Sequence, residues 1–374
     1  MGQVAGRRHR EKGGVLEYRN LAADAVVSLG KCLLYQKGIK MRIVQLINPR
    51  HQQRCIAVVD EPDLVVIGQY DSIYEFAMAA LEQARPLREL ISENLSVDRI
   101  LYDDVYDGKV GWRFLPAVDH PVDPRFCMVS GTGLTHKASA ENRQKMHDAQ
   151  AANHLTDSMK MYQWGVEGGK PEPGEIGTQP EWFYKGNGSV LLAHDSVLTI
   201  PNYGDDGGEE PELAAVYIND KDGNPHRIGF ATANEFSDHV MEKKNYLYLA
   251  PSKIRNCALG PELVLTDAIA DVSGHVSIRR GGQTVWEKAI KTGEDHMAHS
   301  LENLEYHHFK YANHRLPLDL HVHFLGADAF SFGENIRLTD GDEMIVQWEG
   351  MGRALRNRLK INTSEEKMIA ITLL

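Results

Sequence analysis

From Phe183 onward, the chain consists of short apolar runs separated by turn residues, and this pattern constrains its fold more than any other feature. The clearest case is the run over residues 276–280, which is followed by Gly281-Gly282 and a second run over 283–286. Two strand-like runs joined by two glycines predict a β-hairpin. We therefore expect a mainly β body for this part of the chain.

The preceding part of the chain predicts a small α/β unit. Residues 41–68 contain short strand-like runs bounded by Asp, Pro and Gly. Ser72 and Glu75 have capping-box spacing ahead of an apolar helical face, which Pro86 kinks or restarts. The predicted organisation is a basic, loosely ordered extension over residues 1–40 (an ordered one is the alternative), a small N-terminal α/β domain over 41–118, and a mainly β domain over 119–374 with a helical insertion near 139–166.

Composition excludes several functional classes. The formal net charge of -11 argues against a general binder of nucleic acid or of anionic membranes. No apolar run approaches the roughly 18 residues that cross a bilayer. The cysteines are far apart without metal-site spacing, which fits a reducing cytoplasm and predicts a cytoplasmic location; they are Cys32, Cys55, Cys127 and Cys257.

The most informative stretch is Glu210-Pro211-Glu212, which leads into an apolar run over residues 213–218. In a strand, residues two apart point to the same face, roughly 7 Å apart. Glu210 and Glu212 would then direct two carboxylates at one point, where a hard cation such as Mg²⁺, Mn²⁺ or Ca²⁺ would relieve their repulsion. Pro211 lacks an N–H, so it indicates a strand edge or a strand entry. The alternative is a solvated acidic loop, because Asp205 and other acidic residues lie close by.

The order of motifs over residues 115–360 resembles the fumarylacetoacetate hydrolase superfamily. Its Glu-x-Glu pair matches Glu210 and Glu212, and its Gly-[Tyr/Phe]-x-x-x-Asn-Asp segment matches residues 229–235, with Glu235 where Asp is usual. A lysine ahead of a Cys-x-x-Gly-Pro segment matches Lys253. Further similar segments are residues 180–186 (Pro-x-x-Phe-x-Lys), 341–342 and 349–357, while 324–328 occupies the place of the usual Gly-Thr-Pro turn.

The resemblance implies an α+β fold, in which a mainly β catalytic domain (a β-roll) follows the small N-terminal domain, and it implies a homodimer. It also implies Mg²⁺ or Mn²⁺ held by Glu210, Glu212 and Glu235, and a small 2-oxo acid as substrate. A metal on the 2-oxo group would act as a Lewis acid and stabilise an enolate. The substrate-binding residues that the resemblance implies are Lys185, Ser130, Gly131, Thr132, Asn234, Gly326 and Ala327.

The resemblance leaves the reaction open between dehydration and C–C hydrolysis. Hydrolytic members carry Gly-x-Asn-Tyr-x-x-His-x-x-Glu; residues 127–141 keep His136, but the nearest carboxylate is Glu141 and the Asn-Tyr pair is absent. Glu-Pro-Glu and the Gly-Pro-Glu-Leu-Val run over 260–264 are closer to the branch that dehydrates 2-keto-3-deoxy sugar acids. We therefore predict a metal-dependent dehydratase of a 2-keto-3-deoxy sugar acid. The alternatives are hydrolysis of an acylpyruvate or diketo acid, decarboxylation or tautomerisation of an oxo-diacid, and a metal-binding protein without catalysis.

In the dehydratase hypothesis, Lys253 takes the C3 proton, which requires a lowered pKa. His136 or Glu141 then protonates the departing hydroxyl. An ordinary surface lysine and a structural histidine are the alternatives for Lys253 and His136. Seven histidines near the C-terminal end are predicted to occupy core or interface positions, with a zinc or iron site as the alternative; they are His296, His299, His307, His308, His314, His321 and His323.

Overall fold

Two β-sheets account for most of the secondary structure in the computed structural model, which describes residues 40–147 and 156–374. The predicted N-terminal extension therefore lies almost wholly outside the described residues. The strands are β1 (Met41–Asn48), β2 (Gln53–Asp60), β3 (Asp63–Ile67), β4 (Leu95–Leu101), β5 (Arg113–Phe114), β6 (Cys127–Gly133), β7 (Glu181–Asn187), β8 (Leu191–Leu192), β9 (Val197–Ile200), β10 (Pro211–Asn219), β11 (Pro225–Asn234), β12 (Cys257–Leu265), β13 (Val272–Arg280), β14 (Gln283–Thr292), β15 (Leu320–Phe324), β16 (Glu343–Trp348) and β17 (Leu355–Ile361).

The larger sheet runs through both predicted domains. Its strand order is β4-β3-β2-β1-β12-β11-β10-β15-β6-β7, with β5 beside β1 and β8 beside β12. β1 pairs with β12 in antiparallel register, with Met41 opposite Leu265. Because this pairing makes the N-terminal strands continuous with the rest of the sheet, a separate domain over residues 41–118 is not confirmed.

The smaller sheet has the order β14-β13-β16-β17-β9. The predicted hairpin is confirmed as β13 and β14, whose strands end with Arg280 opposite Gln283. Gly281 and Gly282 both have positive φ, the backbone conformation that a two-residue hairpin turn requires. The mixed, mostly β composition agrees with the predicted fold class.

Helices flank the sheets, and the two predicted helix signals near residues 72–86 are confirmed. The Ser72 side chain accepts a hydrogen bond from the backbone N–H of Glu75, and a new helix begins directly after Pro86. None of the helices in the described ranges has the length and apolar character needed to span a membrane. The helices are α1 (Ile73–Glu82), α2 (Leu87–Asn94), α3 (Tyr102–Tyr106), α4 (Lys137–His147), α5 (Asp157–Gly168), α6 (His239–Lys244), α7 (Leu249–Lys253) and α8 (Leu301–Phe309).

The predicted helical insertion corresponds to α4 and α5. Residues 148–155 lie between these two helices and are outside the described part of the chain. α5 ends at Gly168. α4 follows β6 and carries side chains toward the end of the larger sheet where β10 begins.

β10 lies at the centre of the molecule and is buried on both faces. Its side chains alternate, as the two-residue period of a strand requires. Leu213, Ala215 and Tyr217 pack in the core shared with the smaller sheet, whereas Ala214 and Val216 pack in a second core on the opposite face. The site described next begins where this second face reaches the N-terminal end of β10.

Candidate metal site and pocket

The three predicted metal carboxylates meet at one point. One carboxylate oxygen from each of Glu210, Glu212 and Glu235 lies within 4.8 Å of the other two, and all three residues are buried. Carboxylate oxygens at this spacing are the donor type that Mg²⁺ and Mn²⁺ prefer. In the described residues, no other set of three or more His, Cys, Asp or Glu side chains converges in this way.

The pairing of β10 with β11 brings these side chains together. Pro211 lies opposite Asn234, so Glu210 and Glu235 lie opposite each other just beyond the paired strands, and the Glu235 N–H donates to the Glu210 carbonyl at 3.0 Å. Pro211 is the first residue of β10, a position where its missing N–H costs the sheet nothing. The prediction of a strand entry at Pro211 is therefore confirmed.

Two lysines partly neutralise the trio. The Lys253 ammonium donates to both oxygens of Glu210 at 2.7 and 2.9 Å and to Glu235 at 2.7 Å. The Lys185 ammonium lies 2.6 Å from the other Glu235 oxygen and donates to the Phe236 carbonyl at 2.7 Å. Both lysine side chains are buried, so Lys253 is not a surface lysine.

The trio titrates as a group with excess negative charge. Burial and the charges of Glu235 and Glu210 raise the pKa of Glu212 well above its usual value. Burial and Glu210 raise the pKa of Glu235 to about 7. Burial would also raise the pKa of Glu210, but Lys253 and His239 outweigh burial and hold it well below its usual value.

These carboxylates fit a divalent cation. Two lysines balance three buried carboxylates incompletely, and keeping the remaining negative charge away from water costs free energy. A hard divalent cation supplies the missing charge and suits an all-carboxylate donor set. Glu210, Glu212 and Glu235 are the residues that would hold it.

A pocket adjoins the trio, and its empty space is about 410 Å³ with the open mouth included. One side is formed by Glu210, Glu212 and Lys253. The other lining residues come from the end of β6, from α4, from α6 and from the segment after β15; they are Gly133, Leu134, Ser139, Arg143, Phe183, His239, Glu242, Gly326, Ala327 and Phe330.

His239 is a pocket residue that the sequence analysis did not assign. Its Nε2 lies 2.9 Å from a Glu210 oxygen, and its ring stacks on Phe330 with the centroids 4.7 Å apart. Burial alone would lower the pKa of His239, but its hydrogen bond to Glu210 outweighs burial and raises it. No sequence motif marked His239 as a site residue, because only the folding of α6 brings its ring to Glu210.

Arg143 and its two partners were also missed. Arg143 Nη1 donates to both oxygens of Glu181 at 2.7 and 2.9 Å, and its Nε lies 2.6 Å from Glu242. Burial alone would lower the pKa of Arg143, but Glu181 and Glu242 outweigh burial and raise it above its usual value. The three residues come from α4, β7 and α6, so no sequence spacing could have grouped them.

The structure does not bring His136 and Glu141 to the pocket, which corrects the predicted acid. His136 is buried, with Nδ1 2.8 Å from the Thr135 hydroxyl and Nε2 3.1 Å from the Thr292 hydroxyl. Burial lowers the pKa of His136 to about 3, so the ring is neutral near neutral pH. Glu141 is exposed on α4 and lies 3.7 Å from Lys137. The structural alternative therefore describes His136 better than an acid role.

Only some of the predicted substrate-binding residues line the pocket. Gly326 and Ala327 do, and the Gly326 N–H donates to Glu212 at 2.7 Å. Lys185 is occupied by Glu235 behind the pocket wall, and Asn234 accepts backbone N–H groups of Glu210 and Phe236, each at 3.2 Å.

The β6 residues in this prediction also point elsewhere. Ser130 and Thr132 have their hydroxyls 2.9 and 2.7 Å from the two ring nitrogens of His323, on the other face of the sheet. Gly131 packs against Phe183 and Phe324, where an added Cβ would lie 2.6 Å from the Phe183 ring. These three residues support the pocket wall without lining it.

Four of the seven predicted core or interface histidines form a buried cluster at α8, namely His308, His314, His321 and His323. His299 and His307 are buried apart from this cluster, and His296 is partly exposed beside Asp271. His308 Nε2 lies 3.0 Å from His321 Nδ1, and Trp182 donates to His308 Nδ1 at 3.2 Å. Burial lowers the pKa of His321 and His323 to about 3, so both are neutral near neutral pH. The cluster is not a converging metal-ligand set in the described residues, unlike the carboxylate trio.

Comparison with known proteins gives two curated relatives, although no protein-family model matches the chain. A probable 2-keto-3-deoxyxylonate dehydratase of Haloferax volcanii is 25% identical over 179 residues, which are 46% of this chain and 58% of that protein. A 2-dehydro-3-deoxy-D-arabinonate dehydratase of Saccharolobus solfataricus is 25% identical over 182 residues, 47% of this chain and 54% of that protein. The alignments thus span little more than half the length of these relatives.

A solved structure shares the fold over a longer range. The 2-keto-3-deoxy-D-arabinonate dehydratase complexed with magnesium and 2,5-dioxopentanoate has a TM-score of 0.63 and 18% identity, and the match covers 87% of this chain and 100% of that one. At this identity the likeness establishes the fold alone. With the curated relatives, it confirms the resemblance predicted from the motifs.

Proposed function

We propose that this chain, which resembles the 2-keto-3-deoxy sugar-acid dehydratases of the fumarylacetoacetate hydrolase superfamily, is a metal-dependent dehydratase of a 2-keto-3-deoxy sugar acid. The observation that carries this proposal is the buried trio of Glu210, Glu212 and Glu235 at one side of a pocket with an open mouth. Solved relatives of the same fold include a dehydratase complexed with magnesium. We infer Mg²⁺ or Mn²⁺ as the cofactor here.

When bound at the trio, the divalent cation would polarise the 2-oxo group and stabilise the negative charge that develops as the C3 proton leaves. The chain's own residues hold the trio in place for this task. Gly326 donates to Glu212, His239 donates to Glu210, and the Ser237 hydroxyl donates to Glu235, so each carboxylate is fixed by a hydrogen bond from outside the trio.

Lys253 is our candidate for proton transfer at C3, because it lines the pocket and contacts the trio directly. Burial alone would lower the pKa of Lys253, but Glu210 and Glu235 outweigh burial and raise it, so in this structure the group is an ammonium. The lowered pKa expected from sequence is therefore not observed. Lys253 can take a proton only as a neutral amine, and sharing Glu210 and Glu235 with a divalent cation lowers its pKa toward that state.

The same lysine can complete the elimination. After the C3–H bond breaks, the Lys253 ammonium can deliver its proton to the C4 hydroxyl as the C4–O bond breaks, so that one water leaves and a C3–C4 double bond forms. This assignment replaces His136 and Glu141, which lie away from the pocket. It also removes the pair that hydrolysis of a C–C bond would have used.

The experiment is a turnover assay with 2-keto-3-deoxypentonates, 2-keto-3-deoxyhexonates and acylpyruvates, with Mg²⁺ and then with EDTA, in which products are identified by mass. We expect a deoxy sugar acid to lose one water in the presence of Mg²⁺ and not in EDTA. Gain of water with C–C cleavage would replace the dehydratase with a hydrolase. No reaction of any substrate, with Mg²⁺ bound, would favour a non-catalytic protein.

Lys253→Met separates the chemical role of the lysine from metal binding. Because the ammonium competes with a cation for Glu210 and Glu235, we expect this variant to bind Mg²⁺ at least as tightly as the wild type while losing turnover. Turnover close to that of the wild type would show that Lys253 does not carry the proton.

A further inference from the structure

Arg143, on α4, gives the pocket a second permanent positive charge. Among the described residues that line the pocket, only Lys253 and Arg143 carry a charge of this kind. Lys253 is engaged by the metal carboxylates, whereas Arg143 is engaged by Glu181 and Glu242. If the 2-oxo acid group of a substrate binds at the trio, Arg143 is the second cation that the other end of the substrate can contact. The groups that Arg143 can bind therefore affect which substrates fit, through the part of the substrate beyond its 2-oxo acid group (its tail).

Two carboxylates already occupy the Arg143 guanidinium. Glu181 takes Nη1 through both oxygens, and Glu242 takes Nε at 2.6 Å. The side chains of Arg143, Glu181 and Glu242 are 12%, 11% and 5% exposed, so water screens these pairs weakly. Glu242 itself lines the pocket, and it presents a negative charge beside the guanidinium.

We propose that Glu242 determines specificity: by engaging Arg143, it makes the pocket favour 2-oxo acids with an uncharged tail over 2-oxo acids with a second carboxylate. This inference rests on the proposed function, because it concerns the substrate of the same pocket. A second substrate carboxylate would have to displace Glu242 or lie beside two like charges, which is unfavourable in a partly buried site. Hydroxyl groups both donate and accept hydrogen bonds, so they suit a wall of paired Arg and Glu.

The test measures binding of unreactive ligands to the full-length protein with Mg²⁺. The ligands are length-matched pairs: 2-oxovalerate with 2-oxoglutarate, 2-oxohexanoate with 2-oxoadipate, and 2-oxoheptanoate with 2-oxopimelate. We expect the wild type to bind at least one monoacid at least tenfold more tightly than its diacid. Glu242→Gln removes one of the two charges paired with Arg143 and leaves Glu181 in place, and we expect it to lower the preference for the monoacid by about tenfold.

Glu141→Gln is the matched control, since it removes the same charge from the exposed face of α4 without contacting Arg143. We expect it to leave the ratio unchanged. If Glu242 only fastened α6 to α4, Glu242→Gln would lower the thermal stability and weaken both ligands of a pair equally, and that result would overturn the proposal. Equal binding of monoacids and diacids by the wild type, or no binding of either, would overturn it as well.

The result of this binding test can be distinguished from the result of the turnover assay that tests the proposed function. Selective binding of monoacids without dehydration of any sugar acid would contradict the dehydratase and retain the role of Glu242. Dehydration of a sugar acid by a wild-type protein that binds monoacids and diacids equally would support the dehydratase and contradict the role of Glu242.

Discussion

At the scale of single residues, the carboxylate of Glu212 belongs to the metal site and to little else. Glu212→Gln keeps the acceptor for the Gly326 N–H but removes the charge whose burial is unfavourable. We expect the melting temperature in EDTA not to fall and the rise caused by Mg²⁺ to disappear. In the wild type that rise corresponds to about 2.7 kcal/mol when Mg²⁺ is a hundred times its Kd.

Glu209→Gln is the control for this measurement. Glu209 is buried next to the trio, but its two oxygens accept from the Ser331 N–H and hydroxyl. The Mg²⁺ effect should survive in Glu209→Gln. Loss of the effect in Glu209→Gln, or its retention in Glu212→Gln, would contradict the assignment of the metal ligands.

His239 acts through Glu210 and is a positioning residue for the metal. His239→Phe keeps a ring to stack on Phe330 but removes the hydrogen bond to Glu210, and we expect the Kd for Mg²⁺ to rise about 10- to 100-fold. His239→Gln can place an N–H near the Nε2 position and should recover part of the affinity. Mg²⁺ titration by calorimetry measures both affinities. If His239 served only to pack on Phe330, His239→Phe would bind Mg²⁺ more tightly than His239→Gln.

At the scale of elements, the segment after β15 closes the pocket through Gly326. Its φ of +98° suits glycine, and an added Cβ would lie 2.0 Å from the Thr135 hydroxyl. Gly326→Ala should therefore destabilise the protein and weaken the Mg²⁺ effect, because the Gly326 N–H that holds Glu212 has to move. Urea unfolding with and without Mg²⁺ measures both changes.

Gly341→Ala provides the comparison. Gly341 has a similar φ of +85°, but nothing lies within 4 Å of an added Cβ. It should therefore cost only the backbone strain, about 1–2 kcal/mol, and keep the Mg²⁺ effect. Equal costs for the two variants would mean that the contact between Gly326 and Thr135 is unimportant.

At the scale of the whole molecule, buried neutral histidines make stability depend on pH. Burial lowers the pKa of His136 to about 3, below the roughly 6.5 of an unfolded chain. A histidine with a lowered folded-state pKa contributes its full stability above pH 6.5 and loses it as the pH falls toward the folded-state value. The pH dependence of stability has the same sign for four other histidines with lowered pKa values, which are His194, His299, His321 and His323. It has the opposite sign for Glu235 and Asp319, whose pKa values are raised to about 7 and 6.

The variant His136→Asn isolates one of these groups. The free energy of unfolding of the wild type minus that of the variant should be constant above pH 7. Below pH 6.5 it should fall by up to about 1.4 kcal/mol per pH unit. Urea titrations between pH 8 and pH 4.5 measure it, and a difference that does not change with pH would show that His136 is not held neutral.

The sequence predicted the features that depend on neighbours along the chain. The Ser72 cap, the Gly281-Gly282 turn and the Glu210-Pro211-Glu212 strand entry each depend on a few consecutive residues. The joining of Glu210 to Glu235 was found through the order of family motifs. The homodimer and the cytoplasmic location stay predictions.

Features that depend on long-range packing were missed or misplaced. Arg143, Glu181 and Glu242 come from three separate elements, so their pairing exists only after folding. His136 was placed in the site by its motif, but Leu134, with a φ of +55°, redirects the chain after β6, and the imidazole lies against Thr292. The same limit explains why β1 was assigned to a separate domain, since its pairing with β12 spans more than 200 residues.

The most direct measurement is the rate of water loss from a 2-keto-3-deoxypentonate or 2-keto-3-deoxyhexonate while Mg²⁺ is titrated into EDTA-treated protein, with metal occupancy and product mass recorded together. We expect the rate to rise in proportion to occupancy, to saturate at one Mg²⁺ per chain, and to stay at background in Glu212→Gln. Water loss that does not depend on Mg²⁺, or one bound Mg²⁺ per chain with no water lost from any of these acids, would contradict a metal-dependent dehydratase.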